Sequence, residues 1–534
     1  MMNRKSSTLA ILALLGLVAI VSIPLWNTGP GTAADASDSR PATKPATQRI
    51  EMEPQFCALV WEKGYNPDKA YPKTFKSIAE EIAWLNDNEN LLPTAFHKMG
   101  SRLAPSDSLI SRKKRKNGYS LNLKTKSLAV TPTIYKDNLY VPGGFDQEAF
   151  SSVRLKDGKV NWTVKLDDNG PSNALVTEES VIFNTESCTV YALNRESGEL
   201  QWAYYVGYLL LNQPSTDGKL IYVSYPQTGE WPKNKRKPKF KHLEASHVLL
   251  ALDARNGKVR WRRWLDEEVM GTPVVVGKDL YLTTFAGTVY RIDKADGGIQ
   301  AASPILATSL PSVVNHRVVV TRRINANHNA QEAIVELDAQ SLQLKRTFIK
   351  QDAPYLIDNA AQATASESDT TGLLGFIMES APKGAKNPTG LQGWSARQHF
   401  LGSSVCTDGK LGFSSMGNKL VCLDLKTGKL LWEKPLKGKT SQYGKHGGTM
   451  PILAGPYVAL SSTSGQVMLI DKASGNVVKN YDLKTEVRDP LLACQGLLIA
   501  ATASGDIHCI DTQMQAVDGW MSLLRNNTRN VTAN

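Results

Sequence analysis

Residues 250–261 read LALDARNGKVRW, and the spacing of three of them decides the fold. After an apolar run, Asp253 opens a turn whose backbone N–H groups can donate to its carboxylate. Gly257, four residues later, supplies the positive φ that closes a tight hairpin. Trp261, four residues beyond the glycine, is large enough to fill the gap between two packed sheets, and its indole N–H can find a backbone carbonyl there. The pattern recurs as YALNRESGELQW (191–202) and VCLDLKTGKLLW (421–432). Weaker copies are VRLKDGKVNW (153–162), YRIDKADGGIQ (290–300), VELDAQSLQL (335–344), LIDKASGNVV (469–478) and HCIDTQ (508–513). Eight copies spaced by about 40 to 60 residues, where no insertion intervenes, match the repeat of a propeller blade.

Two more strand patterns precede each hairpin, as in TPVVVGKDLYLTTFAGTVYRID (272–293) and SSVCTDGKLGFSSMGNKLVCLD (403–424). Each blade therefore has strands A, B, C and D in order, with the tryptophan on D. The expected fold is all-β, an eight-bladed β-propeller of four-stranded blades. The residues carrying the repeat are Trp162, Trp202, Trp261 and Trp432, the turn acids Asp253, Asp293, Asp424 and Asp471, and the glycines Gly198, Gly257, Gly297, Gly428 and Gly475. Each tryptophan should be mostly buried between blades, and its loss should cost about 3 to 5 kcal/mol.

The repeated Asp, turn, Gly, Trp pattern resembles the pyrroloquinoline quinone (PQQ) repeat family over roughly residues 120–513. Its members include the quinoprotein alcohol dehydrogenases and the propeller subunit of the outer-membrane β-barrel assembly machinery. The resemblance implies the fold and specifies no activity. Its enzymes carry an adjacent Cys-Cys pair above the quinone and a bound calcium; no two cysteines of this chain are adjacent. Its assembly scaffold is a lipoprotein, whereas the first cysteine here is Cys57, well past the apolar N-terminal run.

The eighth copy stops at Asp511 without a D strand. An open strand edge invites aggregation, so the alternating segment Gly118–Leu123 (GYSLNL), just ahead of the first A strand, is expected to close the ring. The domain plan is a propeller at 118–513 and a C-terminal tail at 514–534. Ahead of them stand a signal or membrane anchor at 1–26, a flexible tether at 27–54 and a small, partly helical element at 55–117. The apolar run from Leu9 to Trp26 after Arg4 and Lys5 reads as an export signal, either cleaved after Ala34-Asp35-Ala36 or retained as an anchor. The protein is thus expected to be exported: membrane-anchored facing the periplasm or cell exterior, or periplasmic or secreted if cleaved. Phe75, Ile78, Ile82 and Leu85 fall at helical spacing and predict an amphipathic helix packed on the propeller rim, with a partner-binding helix as the alternative.

The net charge of +12 is concentrated in two runs without an acid, Arg112 to Lys116 and Lys233 to Lys241, so the remaining body is close to neutral. Export and that neutral body argue against nucleic acid as a partner. Cys422 and Cys509 occupy the small-residue position two before the turn acid, Cys406 and Cys494 fall in A strands and Cys188 begins a C strand, so the cysteines read as core and not as a metal site.

Four insertions, at Tyr225 to Leu243, Arg322 to Glu332, Gln351 to Phe400 and Lys437 to Gly448, lie in B–C loops or D–A connections, which emerge on one face of a propeller. Long loops of this kind are often functional. The candidate ligand residues on that face are Trp231, Lys233, Lys235, Arg236 and Lys237 in one set, and Trp394, Arg397, His399, Tyr443 and His446 in the other. No catalytic, cofactor-binding or metal-ligating residue can be assigned.

The reading of function is an exported scaffold without catalysis, binding a protein or an anionic surface polymer in the cell envelope; a PQQ-dependent oxidoreductase or a cofactor-binding sensor, with calcium, is the alternative. A further expectation is orientational. If Gly118–Leu123 is a D strand, the preceding chain should arrive on the side opposite the insertions and bring the tether and Arg112 to Lys116 to that side.

Overall fold

The computed structural model describes residues 48–50, 80, 83–84, 86, 101–105, 110–124, 129–144, 147–185, 189–205, 213–226, 247–324, 331–352, 404–438, 440–441, 444–445 and 447–520. All lie in one compact unit, Thr43–Asn534. The signal or anchor and most of the tether fall outside the described residues, and no described helix is long and apolar enough to cross a membrane.

Eight antiparallel sheets form an eight-bladed β-propeller. Blade 3 shows the plan: A is Ser215–Thr216, B is Leu220–Pro226, C is His247–Asp253 and D is Val259–Leu265, paired in that order. Burial falls from the inside outward. The B strand of blade 4, Asp279–Thr283, is buried at every position, because both of its faces meet neighbouring blades. The D strand of the same blade, Ile299–Pro304, alternates half-buried and exposed. The middle strands therefore read as nearly continuous apolar runs, whereas the rim strands alternate.

The ring closes through Tyr119–Leu123, which pairs antiparallel with Asp506–Asp511, the C strand of blade 8. Leu121 and Leu123 are fully buried in this seam. The N-terminal side of the chain thus supplies the missing D strand, so both ends of the propeller are held in one blade.

Three expectations are corrected. The segment 55–117 is not a separate element throughout: Ser101–Pro105 adds to the D edge of blade 1, and Ile110–Lys114 adds to the closing strand of blade 8. Ile110 pairs with Leu123, and Lys114 with Tyr119. The chain therefore enters this hairpin at the D–A end, the same end as the insertions, and only its turn reaches the C–D side. The expected arrival on the opposite side fails because one extra strand reverses the direction of approach.

The insertion limits also move inward. Blade 5 carries long B, C and D strands, Arg317–Arg323, Gln331–Asp338 and Leu344–Asp352, so residues assigned to two loops belong to its sheet. Thirdly, the first part of the tail is built into the ring. Trp520 is fully buried and exchanges backbone hydrogen bonds in both directions with Ala493 of the blade 8 A strand. Gly496 N–H donates to Val517 O, so the segment lies across the A–B turn of that blade.

Candidate functional site

The repeat residues build the seams between blades. Trp162 Nε1 donates to Arg195 O at 3.2 Å, Trp202 to Ala254 O at 3.1 Å, Trp261 to Lys294 O at 3.0 Å and Trp432 to Lys472 O at 3.0 Å. Every acceptor is the residue just after the first position of the next blade's turn. Trp162, Trp202 and Trp261 are buried and Trp432 is half-buried.

The turn acids meet the backbone as their chemistry requires. Asp253 Oδ1 accepts from Arg255 N, Asp293 from Ala295 N, Asp424 from Lys426 and Thr427 N, and Asp471 from Ser474 N. These bonds, with neighbouring cations or hydroxyls, hold the Asp253, Asp424 and Asp471 carboxyls below the ordinary range, Asp253 despite its burial.

The glycines have a second role that the sequence reading missed. A Cβ at Gly198 would stand 2.8 Å from the Trp162 ring, at Gly257 2.7 Å from Trp202, at Gly297 2.5 Å from Trp261 and at Gly475 2.7 Å from Trp432. Each glycine is the floor on which the preceding blade's indole rests. Gly428 has Phe348 at 2.8 Å instead.

Where the tryptophan is absent, other groups reach the same acceptor. Tyr119 Oη donates to Leu155 O from blade 8 to blade 1, Tyr281 Oη to Ala339 O at 2.9 Å from blade 4 to blade 5, and Arg346 Nη2 to Leu425 O at 2.5 Å from blade 5 to blade 6. The seam donor is thus maintained by chemistry more than by residue identity. Sequence pattern could not reveal Tyr281, because it comes from a B strand.

On the insertion-bearing face, B and C of blade 3 end and begin at Pro226 and His247, D of blade 5 ends at Asp352, and D of blade 6 ends at Pro435. These ends all point to the side opposite the A–B and C–D turns. The candidate ligand residues Trp231, Lys233, Lys235, Arg236, Lys237, Trp394, Arg397, His399, Tyr443 and His446 all lie outside the described residues.

Beneath that face the ring carries buried polar groups. His247 Nδ1 stands 3.3 Å from Glu267 Oε1. Burial holds the imidazole neutral, lowering its pKa to about 3. Burial also pushes the Asp266 carboxyl above its ordinary range, against the pull of nearby hydroxyls. Asn173 and Gln213, just ahead of the A strands of blades 2 and 3, are buried with side-chain polar atoms that meet no partner among the described residues, a setting suited to ordered water. Trp264 N donates to Asn86 Oδ1 at 2.9 Å, and Trp84 packs on the same blade, so helical residues ahead of the ring dock at the D–A end of blade 3. Among the described residues, no group of three His, Cys, Asp or Glu side chains comes together to hold a metal ion.

The model of the family described as outer membrane protein assembly factor BamB matches residues 102–228 and 242–342, the stretch that holds blades 1 to 4 and most of blade 5. Blades 1 to 5 of this eight-bladed propeller thus match the PQQ-repeat family. Among solved structures, this propeller is similar to BamB from Moraxella catarrhalis, at 14% identity and a TM-score of 0.47 over 75% of this chain and 97% of that one. It is also similar to the computationally designed Ika8 protein, at 10% identity and a TM-score of 0.48 over 72% and 96% of the two chains. A third likeness is Saccharomyces cerevisiae Sqt1, at 8% identity and a TM-score of 0.49 over 72% and 96%. No curated protein sequence matches this chain.

Proposed function

We propose that this propeller is a scaffold of the cell envelope without catalytic activity, binding a protein partner on the face that carries its insertions. One observation carries the reading: the repeat residues are occupied in holding blades together, while the long additions to the repeat leave from one face. Fold alone does not fix function. Support for a protein partner comes from the matching family, whose description is that of an assembly factor for outer membrane proteins. Export, through the apolar N-terminal run, belongs to the same proposal.

The test is photo-crosslinking in cells, with the reactive side chain placed at Trp231 or Trp394 and, as controls, at the exposed positions Gly277 and His316 on the A–B turns. Discrete adducts from the first pair alone support the reading. Adducts from the turns alone, or saturable binding of PQQ with calcium accompanied by dye reduction, would overturn it.

A further inference from the structure

The geometry points to the hairpin Ile110–Leu123 as a docking surface for a bilayer bearing anionic phospholipid headgroups, on the C–D side of the ring and independent of the scaffold reading. Arg112, Lys113, Lys114 and Lys116 are exposed, and Arg115 is half-buried with its Nε donating to Ser120 Oγ at 2.9 Å. Among the described residues no carboxylate is paired with any of the five. Elsewhere exposed cations do find acids, as in Lys136 with Glu178 at 2.8 Å and Lys419 with Glu433 at 2.7 Å.

The patch continues onto the C–D turn of blade 1. A Cβ at Gly158 would lie 3.3 Å from Arg112 Cδ, so that turn abuts the hairpin, and Lys156 and Lys159 on it are exposed. The nearby acid, Asp157, is engaged: Arg154 Nε donates to its Oδ1 at 2.9 Å, and this bond holds its pKa near 2. Seven cations thus line the hairpin and this turn, and the carboxylate of Asp157 between them is already paired with Arg154.

A bilayer fits this surface better than a folded partner does. Protein interfaces have an apolar core, but the apolar residues of the hairpin, Ile110, Tyr119, Leu121 and Leu123, are all buried in the ring. The exposed large apolar residues, such as Leu430, Leu431 and Val478, lie on other blades. Side chains of successive strand residues point to opposite faces of the strand, so the charges are spread and aim at no single cleft. Diffuse headgroup charge meets that arrangement without a fixed geometry. The same lysines also place charge on the outer strand Ile110–Lys114, which would oppose edge-to-edge pairing, an alternative that the test separates.

Full-length protein is mixed with neutral phosphatidylcholine vesicles and with vesicles containing phosphatidylglycerol, and the bound fraction is measured at several salt concentrations. Lys113→Gln/Lys114→Gln/Lys116→Gln should lower partition onto the anionic vesicles by about a hundredfold, or about fivefold per charge. It should also flatten the salt dependence, leaving binding to neutral vesicles unchanged. The triple arginine variant should retain binding, and Lys233→Gln/Lys235→Gln/Lys237→Gln should leave it intact. Equal binding to both vesicle types by the wild type, full anionic binding by the first variant, or loss only in the last would overturn the proposal. So would a first variant that self-associates while binding vesicles normally, since edge protection would then be the role of the lysines.

Discussion

Replacing Gly257 by alanine isolates the contact that organises the ring. The residue has φ +67°, and an added Cβ would meet Trp202 Cε3 at 2.7 Å and Cδ2 at 2.9 Å. Two costs follow. The left-handed backbone costs a non-glycine residue about 1 to 2 kcal/mol, and forcing a methyl group into a packed site costs a further 1 to 3 kcal/mol or so. Gly277→Ala supplies the reference, since φ is +57° there and nothing lies within 4 Å of the added atom. Urea unfolding should therefore show Gly257→Ala destabilised by about 2 to 5 kcal/mol and Gly277→Ala by about 1 to 2 kcal/mol. Pairing the first change with Trp202→Leu should recover part of the difference, because a smaller side chain leaves room for the methyl group. Equal losses at Gly257 and Gly277, or strict additivity with Trp202→Leu, would refute the claim that the glycine is kept small for the neighbouring indole.

Trp202→Phe should lose about 1 kcal/mol for the missing bond to Ala254 O, and Trp202→Ala about 3 to 5 kcal/mol; a Trp202→Phe variant as stable as the wild type in thermal or urea melts would remove the hydrogen bond from the account. Leu121→Asp places a carboxylate at a fully buried position of the closing strand. Hydrogen exchange should then rise first at Ile507 and Cys509, which face that strand, and uniform exchange across all blades would contradict a locally opened seam. For His247 the sign is fixed by burial: the unfolded chain takes a proton near pH 6.5, while the folded imidazole resists protonation until about pH 3. The unfolded state binds more protons between those values, so stability falls as pH drops through the window, and His247→Gln should flatten that slope in urea melts at stepped pH. An unchanged slope would mean that other groups set the acid limb.

The blade count and ring closure were legible because they rest on local rules: period-2 strands, turns needing positive φ, and an edge that must be paired. GYSLNL is only six residues, yet its alternation and its place before the first A strand suffice to mark it as the closing strand. The outer strand Ile110–Lys114 was not legible, since four of its five residues are exposed and leave no apolar alternation to read. The packed tail was missed for another reason: Trp520 pairs with Ala493 through the backbone, which carries no sequence code. The candidate ligand residues depend on long insertions whose arrangement no local rule dictates.

A pairing rule links neighbouring repeats. The aromatic on D and the glycine of the next turn are two halves of one contact, so they should be lost together. Register places Ala301 where the other blades put tryptophan, opposite Arg291, and the next turn carries Leu342 in place of glycine, at φ 56° and fully buried. The leucine fills the volume that the missing indole leaves, at the cost of left-handed backbone. The seam from blade 7 to blade 8 repeats the substitution: Lys479 stands at the tryptophan position, opposite Leu469, and Gln515 stands four residues after Asp511, where glycine would be. There the tail crosses instead. A Cβ on Gly455, in the A–B turn of blade 7, would collide with Ala516 O, and Gly496, in the equivalent turn of blade 8, is bonded to Val517 O. The ring therefore tolerates a defective repeat at two of its seams because each has a replacement of matching volume or reach.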